Sequence, residues 1–141
     1  MHSATTHPLA MTQRISATPR GARLARHLAT AQLAAWGIPH DTEPSQAAAA
    51  IVAELAANAV THGRVAGRDF ELGLHLDGAT LRIAVSDART EKQPPRFGEA
   101  PAPEAETGRG LLLVQSLATA WGVTARDIGK TVWAELHVST H

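Results

Sequence analysis

Cysteine is absent from all 141 residues. That excludes disulfide scaffolds, cysteine-ligated zinc and thiol catalysis, and it agrees with a cytoplasmic setting. A charge excess of either sign is also missing. Thirteen Lys and Arg balance 13 Asp and Glu, for a formal net charge of zero. General nucleic-acid binders carry a basic surplus, so direct nucleic-acid contact is not expected. No apolar run approaches the roughly 18 residues of a membrane-spanning helix. The polar, His-containing start of the chain lacks the apolar core of a signal peptide. Residues 1–10 are expected to be a disordered leader, and residues 11–141 one domain. With 44% hydrophobic and 18% charged residues, the chain can bury a core.

The remaining sequence divides by periodicity. Residues 11–17 suit a short strand around Ile15. Thr18-Pro19 has the form of a helix start, with Thr as cap and Pro in the first turn. Ala22, Leu24, Ala25, Leu28, Ala29, Leu33 and Trp36 follow at helical spacing, and Gly37 and Pro39 end the segment. Arg20, Arg23 and Arg26 give this helix a basic edge, the usual form of a solvated face. A second helix starts near Thr42–Ser45 and runs to about His62. Phe70, Leu72, Leu74 and Leu76 then alternate with polar or small residues. Asp77-Gly78 marks a turn, and Leu81, Ile83 and Val85 alternate on the returning arm. Residues 88–107 hold four prolines and no periodicity, and a loop of that length in a small domain is typically a lid. A third helix is expected from Leu111 to about Ala120. A last hairpin has Val123 and Ala125 on one arm and Val132, Ala134, Leu136 and Val138 on the other. Strands joined by tight turns make a mostly antiparallel sheet. About three helices covering one face complete a two-layer α+β sandwich.

Chemistry-bearing residues are few. Glu54, Asn58 and His62 recur every four positions, which places them in one polar row on an apolar helix. Such a row is commonly a solvated face, but it also suits a hydrated metal ion and a proton acceptor. Gly108-Arg109-Gly110 opens the third helix, where glycines let backbone N–H groups approach an anion. Asp87 ends a strand, where a carboxylate either caps a loop or accepts a hydrogen bond from a base amino group. Gly129-Lys130-Thr131 is no phosphate loop, because Thr124 stands where that motif needs glycine and the context is a hairpin. Among the eight histidines there is no His-Glu-x-x-His, so a zinc site is not expected.

In order along the chain, these pieces resemble the Bergerat-fold ATP-binding domain of the GHKL superfamily. They are most similar to bacterial anti-sigma-factor serine kinases. Glu54-Leu-Ala-Ala-Asn58-Ala-Val-Thr-His62 matches the asparagine box. Thr107-Gly-Arg-Gly-Leu-Leu-Leu-Val114 matches the second glycine box. Asp87 stands at the adenine-reading Asp, and Gly129-Lys130-Thr131 at the last short motif. The resemblance implies that Asn58 ligates Mg²⁺ and that Glu54 is the general base for a substrate serine. It implies that Gly108, Arg109, Gly110 and Leu111 wrap the phosphates of ATP, that Asp87 and Thr131 hold adenine, and that residues 88–107 form the lid. It further implies a sigma factor and an anti-sigma-factor antagonist as partners, in the cytoplasm, with homodimerisation common in the family.

The family's first glycine box, Asp-x-Gly-x-Gly, reads here Asp87-Ala88-Arg89-Thr90-Glu91, without glycine. Glycines there let the backbone pass close under the base, whereas Arg89 adds bulk and charge. The departure motivates a second reading, a catalytically weak or inactive regulatory binding module. A histidine-kinase catalytic domain separated from its sensor ranks below both.

Overall fold

The computed structural model describes residues 8–62, 69–87, 111–125 and 129–138. The chain enters on strand β1 (Leu9–Ser16) and turns through Ala17 and Thr18 into helix α1 (Pro19–Ala35). The strand takes in Leu9 and Ala10, which the sequence alone assigns to a leader. Both pair with the strand over Asp69–Asp77, Leu9 opposite Leu76 and Ala10 opposite His75. The Thr18 hydroxyl accepts the Gly21 N–H at 2.9 Å, and Pro19 supplies a preset φ where no donor is needed. At the other end Gly37 adopts φ 95°. The Ile38 N–H reaches back to the Leu33 carbonyl, and Gly37 N–H to Ala34. This left-handed termination satisfies carbonyls that the helix leaves open.

Only one stripe of α1 is fully buried: Gly21, Ala25, Ala29 and Leu33. Leu24, expected in the apolar face, is 47% exposed. It lies one position off the stripe, about 100° around the helix. Helix α2 (Glu43–His62) starts after Thr42, whose carbonyl accepts the Gln46 N–H. It buries Ala48, Ile51, Val52, Leu55, Ala56 and Ala59. The alanines keep its surface low, so α1 packs closely alongside it.

Strands β2 (Asp69–Asp77) and β3 (Thr80–Ser86) form the expected hairpin, with Gly78 at φ 64° in the turn. Phe70, Leu72, Leu74, Leu76, Leu81, Ile83 and Val85 are all buried. A helix over residues 111–117, α3, leads into β4 (Ala120–Ala125) and β5 (Lys130–His137). The five strands lie in the order β1-β2-β3-β5-β4, each pair antiparallel. Because β3 pairs with β5, the hairpin strand β4 is left at the edge.

Helix α3 ends three residues before the expected Ala120. The Ala118 N–H still reaches Val114, but the Thr119 N–H and hydroxyl both turn to the Glu135 carbonyl, at 2.7 and 3.0 Å. Pairing with β5 therefore captures the chain before another helical turn forms. Residues 88–107, expected as a lid, and 126–128 of the last hairpin turn lie outside the described residues.

The helices cover one face of the sheet, as the alternating pattern requires. The other face carries the alternate residues of each strand, several of them polar. There Arg82 bonds Glu135 at 2.9 Å, with its guanidinium 4.2 Å from the centre of the Trp133 ring. Among the described residues no helix is long and apolar enough to cross a membrane.

Candidate nucleotide site

Helix α2 carries the first part of the site. Glu54 and Asn58 are both half-buried and stand one turn apart, flanked by the buried Leu55, Ala56 and Ala59. Burial of the neighbouring stripe fixes the rotation of α2, and that rotation leaves the polar pair at the margin of the packed layer. Glu54 opens onto a cavity of about 460 Å³ with Arg26, Gln46, Ala49, Ala50, Ala53 and Leu113 around it. Leu113 belongs to α3, so the fold brings the segment that follows the glycine pair next to Glu54. Gly108, Arg109 and Gly110 lie outside the described residues. Leu111, at the start of α3, is partly buried against the core.

A second cavity, of about 320 Å³, shares Arg26 and Ala53 with the first and continues past Arg23, Ala57, Val60 and Thr61. The two run along the seam between α1 and α2. Arg23 and Arg26 are exposed, as the solvated edge read from the sequence implies, and they rim these cavities. Nothing in the sequence pointed to Gln46 or Leu113 as neighbours of Glu54, because the seam exists only once three helices have packed.

Asp87 lies at the end of β3 and is one of two buried polar residues among those described, at 6% exposure. Its N–H donates to the Lys130 carbonyl at 3.0 Å, and the Lys130 N–H donates to Asp87 Oδ1 at 3.3 Å. The β3–β5 ladder pairs Val85 with Val132 and Ser86 with Thr131. The Asp87 N–H bond to the Lys130 carbonyl continues that pairing by one position, which puts both residues in step with the buried Val85 and Val132. A carboxylate buried on that face accepts its hydrogen bonds away from water.

Thr131 is placed differently from the expectation that it holds adenine beside Asp87. Alternation along β5 sends it to the opposite face, and its hydroxyl is 2.7 Å from that of Ser86. Its neighbour Lys130 is the residue beside Asp87. Strand alternation counted back from Val132 would have indicated this from sequence. His62 closes α2 as its last residue.

Among the described residues no three His, Asp or Glu side chains come together as a metal cage. A single amide and a single carboxylate one turn apart suit a cation that keeps most of its oxygen ligands from water and phosphate.

The chain belongs to the histidine kinase-like ATPase domain family, whose model matches residues 15–136. That places it within the GHKL superfamily. The fold is also that of the RsbU and RsbW domain structure of Rv1364c from Mycobacterium tuberculosis, at TM-score 0.68 and 22% identity. The match covers 97% of this chain and 33% of that one, so the chain spans about a third of the neighbour's length. No curated protein matches the chain in sequence.

Proposed function

We propose that the chain is an ATP-dependent serine protein kinase that also sequesters a sigma factor, its substrate being an anti-sigma-factor antagonist protein. The observation that carries this reading is the placement of Glu54. It stands one turn from Asn58 and faces an open cavity beside α3. A serine hydroxyl entering that cavity meets a carboxylate able to take its proton. The hydroxyl oxygen then bonds to the γ-phosphorus of ATP, and the bridging oxygen leaves with ADP. Asn58 would hold Mg²⁺ through its amide oxygen, and the ion would supply charge neutralisation along the phosphates. Gly108, Arg109 and Gly110 would offer backbone N–H groups and a guanidinium to the same phosphates. Asp87, held by the Lys130 N–H, would accept the adenine amino group.

The test is phosphate transfer from radiolabelled ATP to antagonist proteins encoded near the chain's own gene. Wild type is expected to label a serine, and Glu54→Ala to lose at least about 99% of the rate, in the range typical of losing a general base. It is expected to keep its ATP affinity. A Glu54→Ala variant with undiminished transfer rejects the role of Glu54.

A second reading, a non-catalytic module that binds nucleotide or only a partner, is favoured by the glycine-free Asp87-Ala88-Arg89-Thr90-Glu91. Calorimetry separates them: ATP binding without transfer supports a sensor, and no ATP binding supports sequestration alone.

A further inference from the structure

Lys130 is the middle residue of the Gly129-Lys130-Thr131 motif, in which the family resemblance gives a role to Thr131 alone. It is the first residue of β5, preceded by Gly129 at φ 76°. Its backbone exchanges two hydrogen bonds with Asp87, one of them to the carboxylate itself. Directly opposed residues of an antiparallel pair share a face and have their Cβ atoms about 5 Å apart. The lysine backbone is thereby tethered beside the buried carboxylate at the end of the sheet, and its flexible four-carbon stem gives the ammonium reach over a group bound there.

From this juxtaposition we infer that Lys130 is a specificity-determining residue of the nucleotide site, one that widens its base preference from adenine to purines generally. The inference rests on the proposed nucleotide site around Asp87. A carboxylate alone accepts hydrogen bonds and donates none. Facing the six-position, it suits the amino group of adenine and conflicts with the carbonyl oxygen of guanine. An adjacent ammonium removes the conflict. Lysine donates well to guanine O6 and N7, while the carboxylate can take the guanine N–H groups. With adenine the same ammonium has only a ring nitrogen to bond. Removing the cation therefore costs guanine more than adenine. Thr131, on the far face with its hydroxyl on Ser86, takes no part.

The test is calorimetric titration of the full chain with Mg-ATP and Mg-GTP, comparing wild type with Lys130→Met and Lys130→Arg. Methionine keeps the backbone N–H to Asp87 and most of the stem, so the carboxylate stays oriented. Wild type is expected to bind GTP within about tenfold of ATP. Lys130→Met is expected to weaken GTP about tenfold more than ATP, the size typical of one charged contact to a base edge. Lys130→Arg is expected to restore wild-type preference. Melting curves of all three proteins confirm that they are folded. If wild type binds ATP and excludes GTP, or if Lys130→Met leaves the ATP-to-GTP ratio unchanged, the inference is overturned while the ATP site stands. If wild type binds neither nucleotide, the proposed site itself is wrong and the inference falls with it.

Discussion

Ser86 and Thr131 are joined hydroxyl to hydroxyl at 2.7 Å, on the sheet face turned away from the helices. They sit directly opposite each other in the β3–β5 ladder, one rung from the Asp87–Lys130 pair. A single residue's step along each strand thus separates a structural polar pair from a candidate base-binding pair. Replacing Thr131 by Val removes one half-buried hydrogen bond, worth about 1 kcal/mol, and adds a residue well suited to strands. Thr131→Val is expected to hold ATP affinity to within about twofold of wild type by calorimetry. A loss of about tenfold would return Thr131 to the nucleotide site.

Asn58 is tested by binding rather than by turnover. Alanine at this half-buried helical position improves local propensity and leaves the Leu55, Ala56 and Ala59 packing untouched. Asn58→Ala is expected to keep the wild-type circular dichroism spectrum and to weaken Mg-dependent ATP binding by at least about tenfold, roughly 1.4 kcal/mol. Unchanged affinity would count against the entire placement of the metal.

Gly21 probes the junction between β1 and α1. A methyl group added there meets the carbonyl oxygen of Ser16 and the Ile15 side chain. Alanine ordinarily stabilises a helix by about 1 kcal/mol over glycine. Here the obstruction is backbone, which cannot turn aside as a side chain can. Gly21→Ala is expected to lower unfolding free energy by about 2 kcal/mol in urea titration. A stabilised variant would show that the α1 entry can shift freely.

Ser45 is fully buried in the first turn of α2, and its hydroxyl has no hydrogen-bond partner among the described residues. An unsatisfied buried hydroxyl costs free energy that a methyl group does not. Ser45→Ala is expected to raise the urea midpoint, with a gain of about 1 kcal/mol. A lowered midpoint would reveal a hydrogen bond that the hydroxyl makes on folding.

Much of the architecture was legible because local rules governed it. Period-two alternation predicted which side of β2 and β3 is buried, since every inward residue there is a large apolar one. Thr18-Pro19 and Gly37 announced the ends of α1 through capping chemistry that needs no tertiary partner. The limits of α3 were not legible. Thr119 is drawn off by the Glu135 carbonyl, a contact 16 residues away that no helical periodicity reports. Leu24 is exposed for a related reason: its hydrophobicity fits the helix, but the width of the buried stripe depends on what packs against it.

The sequence by itself determined the spacing of Glu54 and Asn58 on one helix, because 3.6 residues per turn is a property of the backbone. It determined, too, the order of motifs that led to the GHKL superfamily, and the absence of glycine after Asp87. Only the tertiary structure decided what those residues face. Helix packing set Glu54 against Arg26, Gln46 and Leu113 around one cavity. Pairing of β3 with β5, strands far apart in the chain, put Lys130 rather than Thr131 beside Asp87. Long-range pairing sets the register, and a register shift of one residue turns every side chain to the other face. Local sequence specifies the alternation, but the partner strand decides which residue meets which.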